Sequence, residues 1–558
     1  MSRFAAALAA RQPDPAGRRW LVVPYDQLSD GIGPLAREDP EELGIVLVES
    51  PWKGSRRPYH RQKLALVLAN LRHFALEQAA RGVAVRHLVA RGPYRQALAP
   101  VIAELGPLRL MRPAERELRV DLAPLVREGG LVEVPHEGWL TTANDFAASQ
   151  PKGPPWRMDA FYRHVRRRTG LLMEGGKPAG GTFSFDAENR KPWPGEPPAP
   201  APPSFTPDEI TLEVAALVER HFADHPGELD PGSLPATRED AQRLWRWARE
   251  DCLPHFGPFE DAMSRSSPGL FHTRISGLVN LHRLLPARLV REVAALEIPL
   301  ASREGFIRQL LGWREFVGHV HEASDGFRRL PDTAPDVAPA PGDGGWSRWA
   351  GRPWPGTAAD EVLDGGASPT ALAAERPLPT GFWPHRPTGL ACLDRVVEDV
   401  WREGWSHHIT RLMVLANIAT LLGVSPRELT DWFWIAYIDA YDWVVEPNVL
   451  AMGSFGVGPL MTTKPYVSGA AYINRMSDYC RTCAFDPRSD CPITNLYWAF
   501  LDRNRAALAG NPRMGVVLRS CAKRPEPRRR HDRAVFAWVS SVLEAGERLT
   551  PEGMPAGA

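Results

Sequence analysis

The chain has 558 residues, 44% of them apolar and 24% charged, and carries a formal net charge of +1. That length exceeds what one hydrophobic core serves, so two or three domains are expected, and the composition excludes a disordered or fibrous chain. A charge so near zero excludes capture of a polyanion by the field of the whole molecule; any nucleic acid has to meet a local basic patch.

The N-terminus, Met1-Ser2-Arg3-Phe4-Ala5, lacks the apolar run of a signal peptide, and no stretch reaches the roughly 20 apolar residues of a membrane span. The reading is a cytoplasmic protein with no membrane partner. Short β-rich runs at 20–23 and 45–48 precede a helical pattern in which Leu64, Val67, Leu68, Leu71 and Ala75 share one face, ending near Gly82. Further runs at 83–85, 108–111 and 131–134 continue the alternation, so residues 1–150 read as a parallel α/β domain. Ligands of such sheets sit at the strand C-termini, where Asp26, Gln27 and Glu49 fall; each could equally cap a helix. No glycine fingerprint for a dinucleotide is present there.

Residues 151–207 read as a linker rich in Gly and Pro, including Gly175-Gly176-Lys177-Pro178 and Lys191-Pro192-Trp193-Pro194. From Asp208 to the C-terminus helical periodicity dominates. It is interrupted at 331–369, a low-complexity stretch expected to be a flexible surface insertion; its Trp346, Trp349 and Trp354 have no explanation in the pattern. The basic run Arg524 to Arg530 could bind phosphate or simply be solvated.

The strongest chemical signal is a group of cysteines. Cys480 and Cys483 are spaced as C-x-x-C, Cys491 follows after seven intervening residues, and Cys392 lies far upstream. Thiolates at this spacing suit one soft metal centre, and spacing alone leaves zinc and an iron–sulfur cluster open. Cys252 and Cys521 are left over as free thiols. In a reducing compartment such a set argues for metal or redox chemistry over disulfides. The nineteen tryptophans exceed what packing needs and suit stacking on a planar ligand, base contact or electron hopping.

The context of the cysteines is specific. Trp405-Ser406-His407-His408-Ile409-Thr410-Arg411-Leu412-Met413, Tyr437-Ile438-Asp439-Ala440-Tyr441, Asn511-Pro512-Arg513-Met514, Phe271-His272-Thr273-Arg274-Ile275-Ser276 and Gly312-Trp313-Arg314-Glu315-Phe316 together resemble the bacterial iron–sulfur branch of the cryptochrome/photolyase family across nearly the whole chain. The resemblance implies a Rossmann-like α/β antenna domain followed by an all-α FAD-binding catalytic domain at 208–558. It implies a four-iron four-sulfur cluster on Cys392, Cys480, Cys483 and Cys491.

By the same resemblance, Thr273, Arg274 and Ser276 open a helix that holds the FAD diphosphate, and Arg411 and Asp439 form an ion pair over the flavin ring, with Tyr441 nearby. A helix N-terminus with hydroxyls does stabilise phosphate, although Thr273 and Ser276 read alone are ordinary caps. The family presents an acid near flavin N5 where Val445 stands here, with Glu446 one place later. Trp432 and Trp383 are the implied electron-transfer residues. His408 is the implied proton donor to the lesion, since imidazole titrates near neutrality; adjacent histidines on a helix point about 100° apart, so His407 should pack. Gln309, Trp313 and Arg314 are implied lesion contacts, with the arginine approaching a backbone phosphate. The linker, with Phe183 in place of the usual Trp, approaches the lesion side.

The activity so implied is light-driven repair of (6-4) pyrimidine photoproducts in UV-damaged DNA, on a flipped-out dinucleotide. The alternatives are a blue-light photoreceptor of the same fold and a light-independent iron–sulfur nucleic-acid-binding protein, which would leave the flavin motifs without purpose. Relatives bind 6,7-dimethyl-8-ribityllumazine as an antenna; Tyr25 stands here where they mostly have Gly, and its side chain could crowd that chromophore.

Overall fold

The computed structural model describes residues 2–330, 342–353 and 365–556. Five parallel strands, β1 (Arg19–Val22), β2 (Leu43–Glu49), β3 (Ala84–Val89), β4 (Leu108–Met111) and β5 (Leu131–Val134), form one sheet in the order β3-β2-β1-β4-β5. The alternation of strand and helix in the sequence dictates this, because parallel neighbours need a crossover helix and both sheet faces are then covered. β2 lies inside the sheet and is buried at every residue. Gly44 admits the Trp20 indole against its backbone: a Cβ there would stand 2.6 Å from the ring.

The order reverses between β1 and β4, and the crevice beyond their carboxyl ends is where open α/β sheets take ligands. The helix Arg61–Ala80 covers one face and is the first element to bind the two halves of the molecule. Its N-terminal His60 bonds the Trp401 carbonyl at 3.1 Å, and Lys63 donates to the Trp434 carbonyl at 2.7 Å.

Among the described residues after 208 the named elements are helical. One apolar core runs from Leu21 and Ile45 in the sheet through Phe306 and Phe316 to Tyr441 and Trp443. A second gathers Trp346, Trp383, Trp401 and Trp432 with Cys392 and Cys491. No helix among the described residues is long and apolar enough to cross a membrane.

The stretch expected as a flexible insertion needs correction. Residues 331–341 and 354–364, with Trp354, lie outside the described residues, but 342–353 forms a helical turn, Trp346–Ala350, set into the second core. Trp346 is fully buried, its Nε1 donates to the Pro353 carbonyl at 3.2 Å, and Trp349 stacks on Trp383 at 4.9 Å. Local Pro and Gly content reads as loop, whereas the burial comes from partners distant in sequence. Trp346→Ala should therefore cost about 3–5 kcal/mol, as large core truncations do, read as a lowered urea midpoint; a loss below ~1 kcal/mol would show the segment to be dispensable.

Candidate functional site

A cavity of about 920 Å³ opens in the helical region, at the upper end of the range for pockets that enclose large ligands. Its walls come from the segment 271–280, the helix around Gln309 to Val317, the run Trp405 to Ala416, the segment Asp439 to Met452 and the linker residues Ser184, Asp186 and Arg190. Three wall segments, Arg308–Arg314, Thr410–Ala416 and Glu446–Gly453, are π-helical. Widened turns of this kind cluster at functional sites, because the extra residue re-aims neighbouring side chains.

At the floor, Arg411 grips Asp439 with both guanidinium nitrogens, at 3.0 and 2.9 Å. Ser276 donates to the same carboxylate at 2.6 Å, and the Arg411 guanidinium lies 4.0 Å above the Tyr437 ring. Burial by itself would raise the Asp439 carboxyl, but Arg411 and the hydrogen bonds hold it below its usual value. The site thus keeps a fixed, ionised pair facing the cavity. Thr273 and Arg274 also line it; Arg274, in the left-handed region at φ 56°, is ion-paired with Glu403 and lies over Trp405. The helix after them is short, Ser276–Asn280, so the hydroxyl of Ser276 serves the carboxylate more than a cap.

Toward the mouth stand three histidines. His407 lies in coil just before the helical run that His408 begins, and the rings are 6.3 Å apart at 76°. His407 is buried and stacks on His272 at 4.4 Å; burial and the neighbouring histidine push both well below the normal imidazole range. His408 is 40% exposed at its side chain, lines the cavity and has its Nε2 3.8 Å from Asp261. Gln309 Nε2 donates to Glu260 at 2.6 Å, which turns its amide oxygen away from that carboxylate. Glu260 also receives Arg308 at 3.2 Å and the side chain of Asn189 from the linker.

His272, Glu260 and Asp261 were not singled out from the sequence. His272 sat inside a quoted motif, but the two acids precede it by a dozen residues with no spacing signal.

Trp313 lines the cavity. Arg314 also faces it, yet its surroundings correct the expected phosphate contact: the guanidinium is sandwiched between Trp139 at 4.4 Å and Trp443 at 5.2 Å and paired with Glu315 at 3.1 Å. A cation enclosed in that way cannot meet a duplex backbone. Basic residues at the cavity wall include Arg190, Lys464, Arg475 and Arg513. In the run at 524–530, Arg524 is paired with Asp532 and Arg529 with Glu526.

Val445 lines the cavity while Glu446 is turned out of it. The Glu446 carboxylate accepts from His321 at 2.9 Å and from Arg427 at 2.8 Å. Burial opposes its ionisation, but these partners bring its carboxyl down to about 2.

The aromatic residues form a chain. Trp432 lies behind the cavity wall, touching Tyr437 at 6.1 Å and Phe433, which lines the cavity, at 5.2 Å. Trp401 then joins Trp432, at 5.9 Å, to Trp383, at 5.1 Å, and Trp349 follows. Trp401 is the link the sequence did not reveal, since its place between Trp432 and Trp383 depends on tertiary packing. Tyr441, expected at the flavin, points instead into the crevice at the end of the sheet.

Cys392, Cys480, Cys483 and Cys491 converge on one small cavity with Leu390, Ile473, Tyr479 and Phe485. They come from the start of the helix Ala391–Glu403, the turn Tyr479–Thr482 and the cap of the helix Pro492–Arg503. All are free thiols. Burial, followed by the other cysteines, pushes Cys480 up to about 11; in Cys491 burial acts first and the result is about 12. Such a buried all-sulfur donor set fits a thiophilic centre that displaces the protons on binding.

In the crevice, Gln27 donates to the carbonyls of Met111 and Arg112, both at 3.2 Å, and Glu49 is held by Arg72 at 2.8 Å and by His87. Both are committed to the sheet. Asp26 is buried with neither carboxylate oxygen hydrogen-bonded, and burial together with Glu115 raises it to about 7.

The family described as deoxyribodipyrimidine photo-lyase-related protein matches residues 21–233. A (6-4) photolyase of Agrobacterium fabrum is 33% identical over 543 residues, 94% of this chain and 99% of that one. An uncharacterized protein of Acanthamoeba polyphaga mimivirus is 38% identical over 66 residues, 12% of this chain and 54% of its own. Among solved structures, a bacterial class III photolyase from Agrobacterium tumefaciens matches with a TM-score of 0.49 and 16% identity, over 95% of this chain and 99% of its own. A cryptochrome of Synechocystis matches with a TM-score of 0.49 and 15% identity, over 78% and 82%.

Two outcomes follow from this geometry. Cys392→Ser should lower the content of thiophilic metal, zinc or iron, measured by metal analysis of the purified protein, and lower the thermal midpoint; a metal content equal to that of the native chain would take Cys392 out of the ligand set. Asp26, raised from 3.8 to about 7, contributes stability that is complete below pH ~4 and lost as pH rises through 7. Asp26→Asn should therefore gain on the native chain across that window, by something on the order of 4 kcal/mol at pH 8. A stability difference between the two chains that stays flat from pH 4 to 8 in urea titrations would rule this out.

Proposed function

Because the chain belongs to the bacterial photolyase/cryptochrome family, we propose that it repairs UV-damaged DNA with light, acting on (6-4) pyrimidine photoproducts. The observation that carries the reading is the cavity itself: one wall offers the Arg411–Asp439 pair, and the mouth offers His408, Gln309 and Trp313.

The residues present fit FAD. The cavity has the size, the guanidinium of Arg411 would meet a negatively charged ring, and His407, both of whose ring nitrogens are buried without a hydrogen-bond partner, is among the lining residues. Bound in its reduced form, FAD supplies on blue-light absorption the electron that opens the lesion. Thr273, Arg274, Ser276, Arg411 and Asp439 hold it. Tyr437, Trp432, Trp401 and Trp383 offer a route by which electrons reach it. The four cysteines hold a four-iron four-sulfur cluster that staples the helices at 391–403 and 492–503.

The protein's own work is positional and protonic. Trp313 provides an aromatic wall for a flipped-out dinucleotide. Gln309, its nitrogen engaged by Glu260, presents its oxygen to donors on the damaged bases. His408 delivers a proton to the lesion and recovers it as the pyrimidines are restored, with Asp261 orienting its ring. Arg190, Lys464, Arg475 and Arg513 meet the phosphates around the flipped pair, supplying the local basic patch that a nearly neutral chain requires.

The test is blue-light repair of an oligonucleotide carrying one (6-4) photoproduct by purified, reduced, flavin-replete protein. Light-dependent restoration is expected, and His408→Ala should lose at least ~100-fold in repair rate while keeping flavin and iron. Failure of the native protein to repair would transfer the assignment to a photoreceptor of the same fold. Full activity of the variant would end the proton-transfer role.

A further inference from the structure

The crevice beyond β1 and β4 is the place where an antenna chromophore would bind, and its residues do not fit one. Tyr25, immediately after β1, fills it. The ring is 5% exposed, its hydroxyl is hydrogen-bonded to the Glu115 carboxylate, and it stacks on Tyr441 at 6.1 Å with an interplanar angle of 28°. Tyr94 stands 6.5 Å away, and Lys53, itself paired with Glu115 at 2.9 Å, lies 5.8 Å over the Tyr25 face. The side chain is therefore held from several sides by groups of both halves of the molecule.

What remains beside it is a cavity of about 90 Å³. A cavity of about 150 Å³ accommodates one benzene, and larger organic ligands occupy roughly 300–1,000 Å³. A bicyclic lumazine with a ribityl chain exceeds the space several times over. Polarity opposes it as well. The hydroxyls of a ribityl chain need hydrogen-bond partners, yet the remaining wall is mostly apolar, with Leu64, Leu68 and Phe222. Its charged groups are already engaged: Lys53 with Glu115, and Lys63 with the carbonyls of Trp434 and Ala440 at 2.7 and 2.5 Å. Expelling Tyr25 would take from the buried Glu115 carboxylate the hydroxyl that donates to it and would give up the stacking on Tyr441.

We infer that Tyr25 closes this crevice to ribityllumazine, so that the protein gathers light through its flavin alone. The inference rests on the photolyase reading only for the identity of the excluded chromophore; closure itself is a binding property measurable without repair.

The experiment has two arms. Native full-length protein is denatured and the released chromophores are separated and identified, then apoprotein-free native protein is titrated with 6,7-dimethyl-8-ribityllumazine and followed by fluorescence anisotropy. Flavin without lumazine, and no saturable binding, are expected. In the second arm Tyr25→Gly, with Tyr25→Ala as the variant to use if the glycine chain does not fold, should bind the same compound at least tenfold more tightly than native protein, while Tyr25→Phe should stay closed. Stoichiometric lumazine released from native protein would overturn the inference, as would a Tyr25→Gly or Tyr25→Ala chain that binds no better than native. A failed repair assay with normal flavin content would count against the catalytic reading and leave the closure untouched.

Discussion

The buried pair of Arg411 and Asp439 is the constraint on which the large cavity depends. Asp439 is buried while Arg411 keeps 22% of its side chain exposed, and an ion pair so largely withdrawn from water is stable only if the remaining donors and acceptors are satisfied. Here two segments satisfy them. Ser276 donates to the carboxylate, Asn280 donates to the Asp439 carbonyl at 2.8 Å, and the Arg411 Nε donates to the Ser406 carbonyl at 2.8 Å. The pair therefore ties the 271–280 segment, the run that starts at Trp405 and the segment from Tyr437 into one floor. Losing either charge would leave the other buried and alone, at roughly 3–5 kcal/mol, and would release three walls at once.

The acid one residue beyond Val445 belongs to a second buried network. Glu446 with His321, Arg427 and Asp431 forms a closed set, and Arg427 binds Asp431 at 2.5 Å. An acid held down near 2 is an anion throughout the physiological range, so it is no proton donor. The offset of one position thus exchanges an acid facing the cavity for an apolar surface there and a structural anchor behind it. Of the acids that line the cavity, Glu260 and Asp261 lie beside His272 and His408, while Asp439 is paired with Arg411.

All five strands were legible in the sequence, because parallel strands buried on two faces are continuous apolar runs. Cys392 joins the three later cysteines around one small cavity, an arrangement legible in the sequence only through the family resemblance. The cavity residues Thr273, Ser276, Gln309, Trp313, His408, Arg411 and Asp439 fall together as expected, while Tyr441 and Trp432 do not line that cavity. What escaped was long-range. Trp346 lies between proline- and glycine-rich flanks that read as loop, yet its ring packs edge-on against Trp383, which is distant in sequence. Trp401 and Glu260 sit in ordinary amphipathic or irregular sequence, and only the packing reveals that one bridges two indoles and the other holds Gln309. Arg314, which the resemblance turned toward a phosphate, is instead covered by the Trp139 ring from the other half of the chain, a contact that no local pattern shows.

One short segment serves both the cavity and the crevice. Between 437 and 445, Tyr437 supports Arg411, Asp439 takes its charge, Tyr441 enters the crevice, and Trp443 and Val445 return to the cavity wall. A crevice left open beside such a segment would deprive it of a packing partner on one side, and unfilled space against aromatic side chains weakens them through lost dispersion contacts. Tyr25 supplies that partner from within the chain. Its stacking on Tyr441 and its bond to Glu115 brace the sheet domain against the segment that positions Asp439, so the position of the ion pair does not depend on an occupant of the crevice. The tyrosine that excludes a second chromophore is, by the same contacts, part of what holds the floor of the cavity in place.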